Sequence, residues 1–261
     1  MMKAEKDGYS NPFTVKQGTF LIAFAALIAC LIAFSVPIDI IRASIYFYAL
    51  MLVLILTGTI RKIPLYRKIN WLRWALRYFT VALPIAMMLV AFLIENRWQI
   101  SKLQLQYLIL GALVGLTFLF VDYHAVKKDI SGVQTKLAIR RSDRIFQLGI
   151  TVSTSVCEEL FFRGVLLFIL YEHIGILAIL IVSIAFFLSH YLNWSAAGYY
   201  SRKAYFLQFA LSITTGLIFV LTQSLAACII AHIVFNAREI YILCKRPSVS
   251  LVNNSNLFND Y

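Results

Sequence analysis

Long apolar runs separated by short basic clusters set the pattern of the chain. The first run holds no ionisable side chain for 22 residues between Lys16 and Asp39. As a helix rising 1.5 Å per residue it extends about 33 Å, enough to cross a hydrocarbon layer of about 30 Å. A cleaved signal peptide is the competing reading, but the run exceeds the usual core of about 7 to 15 residues and ends in Ser35, Val36, Pro37 without a small-x-small site. Further uncharged runs lie between Arg42 and Arg61, between Arg77 and Glu95, and between Lys102 and Asp122. The second of these contains Pro84, which a membrane helix tolerates.

The second half is less uniform. An apolar stretch at 145–171 is interrupted by Glu158, Glu159 and Arg163, and another runs from Ile174 to Ser189. From Ala204 to Ala237 there are 34 residues with His232 as the one ionisable group, about 51 Å as a single helix and too long for one crossing. The polar Thr222, Gln223, Ser224 divides that stretch in two. The pattern therefore predicts an all-α fold, a polytopic membrane helical bundle of about eight transmembrane helices joined by short connections. Residues 1–144 form an N-terminal four-helix membrane region with basic cytoplasmic loops, residues 145–246 a second membrane region, and residues 247–261 a polar, disordered tail.

Composition supports a membrane setting. The chain is 61% hydrophobic and 14% charged, against about 45–50% and about 25% in soluble domains, and its mean hydropathy is +0.80. A soluble core of this length cannot hide that excess. The net charge of +12 would point to nucleic acid in a soluble protein, yet the basic residues sit between apolar runs, so anionic lipid is the expected partner and nucleic acid is not. With the N-terminus cytoplasmic and eight spans, nineteen Lys and Arg fall in inner segments and three in outer ones, Arg42, Arg97 and Lys102. Both termini are then cytoplasmic, and the small size fits the plasma membrane of a prokaryote. The basic connection at 123–144 is expected to lie along the lipid surface. Cys30, Cys157, Cys228 and Cys244 form no Cys-x-x-Cys pair and read as small core residues.

Ionisable residues within apolar segments are costly, roughly 2.5–3.5 kcal/mol each at mid-bilayer, so they mark pairs or functional cavities. Glu159 and Arg163 are four apart and share a helical face in the favourable order, whereas Glu158 is turned about 100° away. Glu159 with Arg163 reads as an internal ion pair and Glu158 as the free carboxylate; a charge cluster that merely packs helices is the alternative. His190 ends an apolar helix one turn after Phe186, where an interfacial histidine is also common. His232 and Asn236, again four apart, are co-facial and would equally serve as an interhelical hydrogen bond. His124 and His173 read as loop residues. Brought together, Glu158, His190, His232 and Asn236, with Arg163 supporting Glu159, suit activation of water beside a carbonyl.

Glu-Glu-x-x-x-Arg at 158–163, Phe-x-x-x-His at 186–190 and His-x-x-x-Asn at 232–236, in that order, resemble the three signatures of the CPBP intramembrane proteases. That family, also called ABI, includes the type 2 CAAX prenyl endopeptidase. The trailing Gly164 and the Tyr191, Leu192, Asn193, Trp194 continuation are similar as well. The resemblance covers roughly 145–240 and implies an intramembrane endopeptidase acting on a membrane-associated or lipidated peptide or protein. It further implies Glu158 as the base activating water with His190, His232 and Asn236 as oxyanion partners, and Glu159 and Arg163 as supports. Glu158, His190 and His232 could also supply a zinc site with water in the fourth position, although without the compact H-E-x-x-H spacing. The alternatives are a non-catalytic bacteriocin-immunity or peptide-binding membrane protein, and a transporter, which the lack of repeated halves disfavours.

Overall fold

A computed structural model describes residues 13–60, 70–95, 104–121, 123, 127, 132, 136–192 and 202–249. Four helices come first: α1 Phe13–Ala33, α2 Ile38–Ile60, α3 Asn70–Glu95 and α4 Leu105–Val121. Next come α5 Arg141–Phe161, a π-helical segment Phe162–Leu167, α6 Phe168–Ile174 and α7 Leu177–Leu192. α8 Arg202–Thr222, α9 Leu225–Phe235 and α10 Ala237–Lys245 complete the bundle. A two-residue strand β1, Ile139–Arg140, pairs in parallel with β2, Ser248–Val249, tying the start of the tail to the start of α5. Two expectations, the surface helix at 123–144 and the disordered tail, lie largely outside the described residues, but the tail's first residues are ordered by this pairing.

The expectation of about eight transmembrane helices is overturned. Among the described residues three helices are long and apolar enough to cross a membrane: Ile38–Thr57, Tyr78–Glu95 and Arg202–Thr222. Counting the bent pair Leu225–Phe235 and Ala237–Lys245 as one span makes four. The physical reason is that the distance between charges overstates helix length. Leu177–Leu192 has 16 residues and Leu105–Val121 has 17, giving about 24 and 26 Å of helix. The stretch carrying Glu158, Glu159 and Arg163 is polar in its first half and changes to π geometry at Phe162. Several apolar helices, three of them of full spanning length, still make this a multi-pass integral membrane protein.

The long apolar stretch does divide where Thr222, Gln223 and Ser224 stand. Gln223 takes φ +55°, and the Ser224 hydroxyl caps α9 by accepting from the Ala227 N–H at 3.3 Å. Glycines then bring α9 close to α4. A Cβ at Gly111 would overlap the Ala227 carbonyl, and one at Gly115 would lie 2.6 Å from the Ala231 carbonyl oxygen. This is small-residue packing, Gly111 and Gly115 against Ala227 and Ala231, each pair four apart. It fixes the axial position of α9, and with it His232. Gly164 permits the same closeness between the π segment and α3, since its Cβ would meet the Phe92 ring at 2.8 Å.

The core lies where the π segment meets α3, α7 and α9, around Phe92, Phe161, Phe162, Val165, Phe186 and Cys228. At the end of the bundle away from the α5 start, a polar network joins three elements. Arg42 reaches Asp39 at 2.8 Å and Glu95 at 3.2 Å, and the Tyr46 hydroxyl donates to Glu95 at 2.9 Å. His173, expected to be an ordinary loop residue, lies 3.3 Å from Asp39.

Candidate active site

The two adjacent carboxylates of α5 face different surroundings. Glu159 is fully buried and bridges to Arg163 at 3.1 Å, as expected for residues four apart on one face. A buried guanidinium needs acceptors for its N–H groups, and α8 supplies them. Arg163 Nη2 donates to the Ser212 carbonyl at 3.1 Å, the Ser212 hydroxyl at 2.9 Å and the Thr215 hydroxyl at 2.5 Å. Its charge also lies over the Phe186 ring, 5.1 Å from the centroid. The switch to π geometry immediately after Phe161 alters the angular step between Glu159 and the residues that follow Arg163, a device common at functional sites.

Glu159 is also the partner of the buried His232. The ring Nδ1 lies 2.8 Å from Glu159 Oε1. Because the carboxylate accepts, Nδ1 carries the proton and Nε2 is directed elsewhere. It faces Glu158, with Nε2 at 3.7 Å from Oε2. His190 is arranged in the same way. Its Nδ1 donates to the Phe186 carbonyl at 3.0 Å, one helical turn back, and its Nε2 lies 3.8 Å from the same Glu158 Oε2. Phe186 packs against both imidazoles, at 4.5 Å from His190 and 5.9 Å from His232 between ring centroids.

Glu158, Glu159, Arg163, His190 and His232 thus form one cluster drawn from α5, the π segment, α7 and α9. Asn236 stands slightly apart, at the 45° bend between α9 and α10. Its amide Nδ2 donates to the Ser155 hydroxyl at 2.9 Å, which in turn donates to the Thr151 carbonyl at 2.8 Å. Ser155 was not singled out in the sequence, nor were Ser212 and Thr215, although each is a hydroxyl in an apolar setting facing a charged or amide group. Asn193 and Trp194, which extend the second signature, lie outside the described residues.

The donors Glu158, His190 and His232 suit zinc in kind: one carboxylate and two imidazoles, each imidazole oriented through its other nitrogen. The two imidazoles stand 3.7 and 3.8 Å from Glu158 Oε2, where ligands at about 2.0–2.1 Å from a tetrahedral zinc stand about 3.3 Å apart. Among the described residues no group of three or more His, Cys, Asp or Glu is placed to hold a metal ion.

Residues 141–238 match the family described as Type II CAAX prenyl endopeptidase Rce1-like. The matched segment contains the whole cluster and Asn236, so over these residues the chain is similar to proteases of the CAAX type. Searches of curated proteins and of solved structures returned no match.

Proposed function

We propose that this protein is a glutamate-dependent intramembrane endopeptidase that hydrolyses a peptide bond of a membrane-associated or lipidated peptide or protein. The observation that carries the reading is the convergence of two imidazole Nε2 atoms on Glu158 Oε2, at 3.7 and 3.8 Å, beside a cavity. A water held there is within reach of a carboxylate that takes its proton. Its oxygen adds to the scissile carbonyl carbon, and the C–N bond then breaks as the proton passes from Glu158 to the departing nitrogen. The products are a carboxylate and an amine.

His190 holds the attacking water through Nε2. His232 enters the reaction as the imidazolium, its Nδ1–H held by Glu159, and donates from Nε2 to the oxyanion without giving up its proton. Asn236 is anchored by one amide N–H on Ser155 and offers its second N–H to the same oxygen. Arg163 touches no reacting atom; it holds Glu159, and so His232, in place.

Basic residues support the orientation. Arg140, Arg141 and Arg144 at the start of α5, Arg202 and Lys203 at the start of α8, and Lys245 and Arg246 at the end of α10 gather at one end of the bundle. The positive-inside rule makes that end, with the C-terminus, cytoplasmic.

The test is terminal proteomics on host membranes and medium, with wild type and Glu158→Gln at equal expression. New termini are expected with wild type alone. Matching termini in both samples, with a host phenotype such as bacteriocin resistance retained by the mutant, would replace the protease by an immunity or peptide-binding protein.

A further inference from the structure

Gln208 of α8 is a buried polar side chain that the reaction as described does not use. It is 7% exposed, and its amide oxygen Oε1 is buried without a hydrogen-bond partner among the described residues. Glu159 has the same defect: its bonds to Arg163 and His232 both fall on Oε1, and the buried Oε2 has no partner among the described residues. Buried acceptors left without a donor are costly and rare, so two of them near one contact call for one explanation. Helix directions place them on the same side of that contact. α7 runs opposite to α5, since Glu158 meets His190 while Phe162 meets Phe186, and opposite to α8, since Phe187 meets Phe209 while Ile179 lies against Gly216. α5 and α8 therefore run the same way. Gln208, Ser212 and Thr215 share one face of α8, and the last two bond Arg163. Gln208 is one turn before Ser212 and Glu159 one turn before Arg163, so both orphaned oxygens belong to the same side of the Arg163–Ser212 pair.

Both oxygens are closed to water, so their donor has to come from the protein. The Arg163 and His232 N–H groups that reach Glu159 are spent on Oε1. The Gln208 amide itself carries two N–H groups, and a half-turn about its last side-chain bond exchanges Oε1 and Nε2 without changing the space it fills. That turn converts an acceptor into a donor. We infer that Gln208 is a positioning residue of the catalytic cluster, its Nε2 donating to Glu159 Oε2. A carboxylate held at Oε1 alone can turn about its own last bond. A bond on Oε2 stops that motion and keeps His232 Nε2 directed at Glu158. Gln208 touches no reacting atom, and α8 carries none of the three sequence signatures. The effect on turnover rests on the endopeptidase reading, but the bond does not.

The test uses the full-length protein in detergent micelles, with kcat and KM for a peptide that wild type cuts and unfolding followed by circular dichroism. Gln208→Met keeps the size of the side chain and removes the donor. It is expected to lower kcat by about tenfold or more with KM little changed, and to lower the unfolding midpoint. Gln208→Glu sets a second carboxylate against the first and should be worse in both respects. A Gln208 without a partner gives the reverse for methionine, a raised midpoint and unchanged kcat, since an apolar side chain in place of an unpaired buried amide stabilises. That result would overturn the inference. So would a rise in KM with kcat preserved, which would make Gln208 a substrate contact. Where a variant does not fold, wild type labelled with 15N in its glutamine amides and 13C in its glutamate carboxyls decides. A dipolar coupling at hydrogen-bond distance is expected from an amide that does not exchange in D2O, and its absence would overturn the bond. Wild type that cuts no peptide would overturn the endopeptidase reading, while unfolding and labelling still judge the bond.

Discussion

Glu159 of α5 holds His232 of α9 across 73 positions of sequence through a 2.8 Å bond to Nδ1. The same carboxylate oxygen meets Arg163 at 3.1 Å, so one buried anion links a helix-anchoring cation to an imidazole that faces Glu158. The two neighbouring glutamates therefore carry different burdens. Glu159 supports structure and orientation, and Glu158 is left to do chemistry.

Neutralising each glutamate should separate those burdens. Glu158→Gln keeps size and hydrogen bonding but cannot take a proton, so kcat is expected to fall by about 10²–10⁴ with little change in thermal unfolding. Glu159→Gln leaves Arg163 buried without its counter-charge, a loss of about 3–5 kcal/mol. Unfolding in detergent followed by circular dichroism, set beside peptide turnover, measures both. Equal loss of stability in the two variants would contradict the division of roles.

Arg163 depends on α8 as well as on Glu159. Thr215→Val removes the hydroxyl 2.5 Å from Nη2, and a buried hydrogen bond to a charged group in a membrane protein is worth about 1–2 kcal/mol. Thr215→Ser keeps the hydroxyl and should recover most of the loss. If valine and serine destabilise equally, the Thr215 methyl and not its hydroxyl holds this contact.

Part of this arrangement could be read from spacing alone. Glu159 and Arg163 are four apart in a helix, which puts them together whatever surrounds them, and the polar Thr222, Gln223, Ser224 marks a helix end because their side chains satisfy the freed backbone groups. The number of crossings could not be read that way, because charges delimit apolar runs while turns, the π segment and the Asn236 bend delimit helices. Ser212, Thr215 and Ser155 escaped notice since a hydroxyl in an apolar helix ordinarily bonds back to its own turn. All three sit in such helices, and only tertiary packing turns them toward Arg163 and Asn236.

The Asn236 amide donates to the Ser155 hydroxyl at 2.9 Å, so the pair offers a test of positioning. Ser155→Ala is expected to destabilise by about 0.5–1.5 kcal/mol and to lower kcat with KM little changed, because the substrate does not touch Ser155. Ser155→Thr, which restores the hydroxyl, should return most of kcat. A rise in KM with kcat preserved would show instead that Ser155 shapes substrate binding.

The placement of His232 ultimately depends on how close α4 comes to α9. Gly115→Val puts side-chain atoms where the Ala231 carbonyl and the Val234 side chain already lie, so the helices must part or α9 must shift along its axis. Overpacking of this kind costs about 1–3 kcal/mol. The effect on turnover should be larger than that figure alone implies, since a displacement of about 1 Å in a positioned group can cost about 10² in rate. Gly149→Ala is the control: its Cβ would meet nothing within 4 Å, so kcat should not change and stability should hold or rise by about 0.5–1 kcal/mol. If Gly115→Val retained full turnover, His232 would not need its present distance from Glu158, and its part in stabilising the oxyanion would have to be given up.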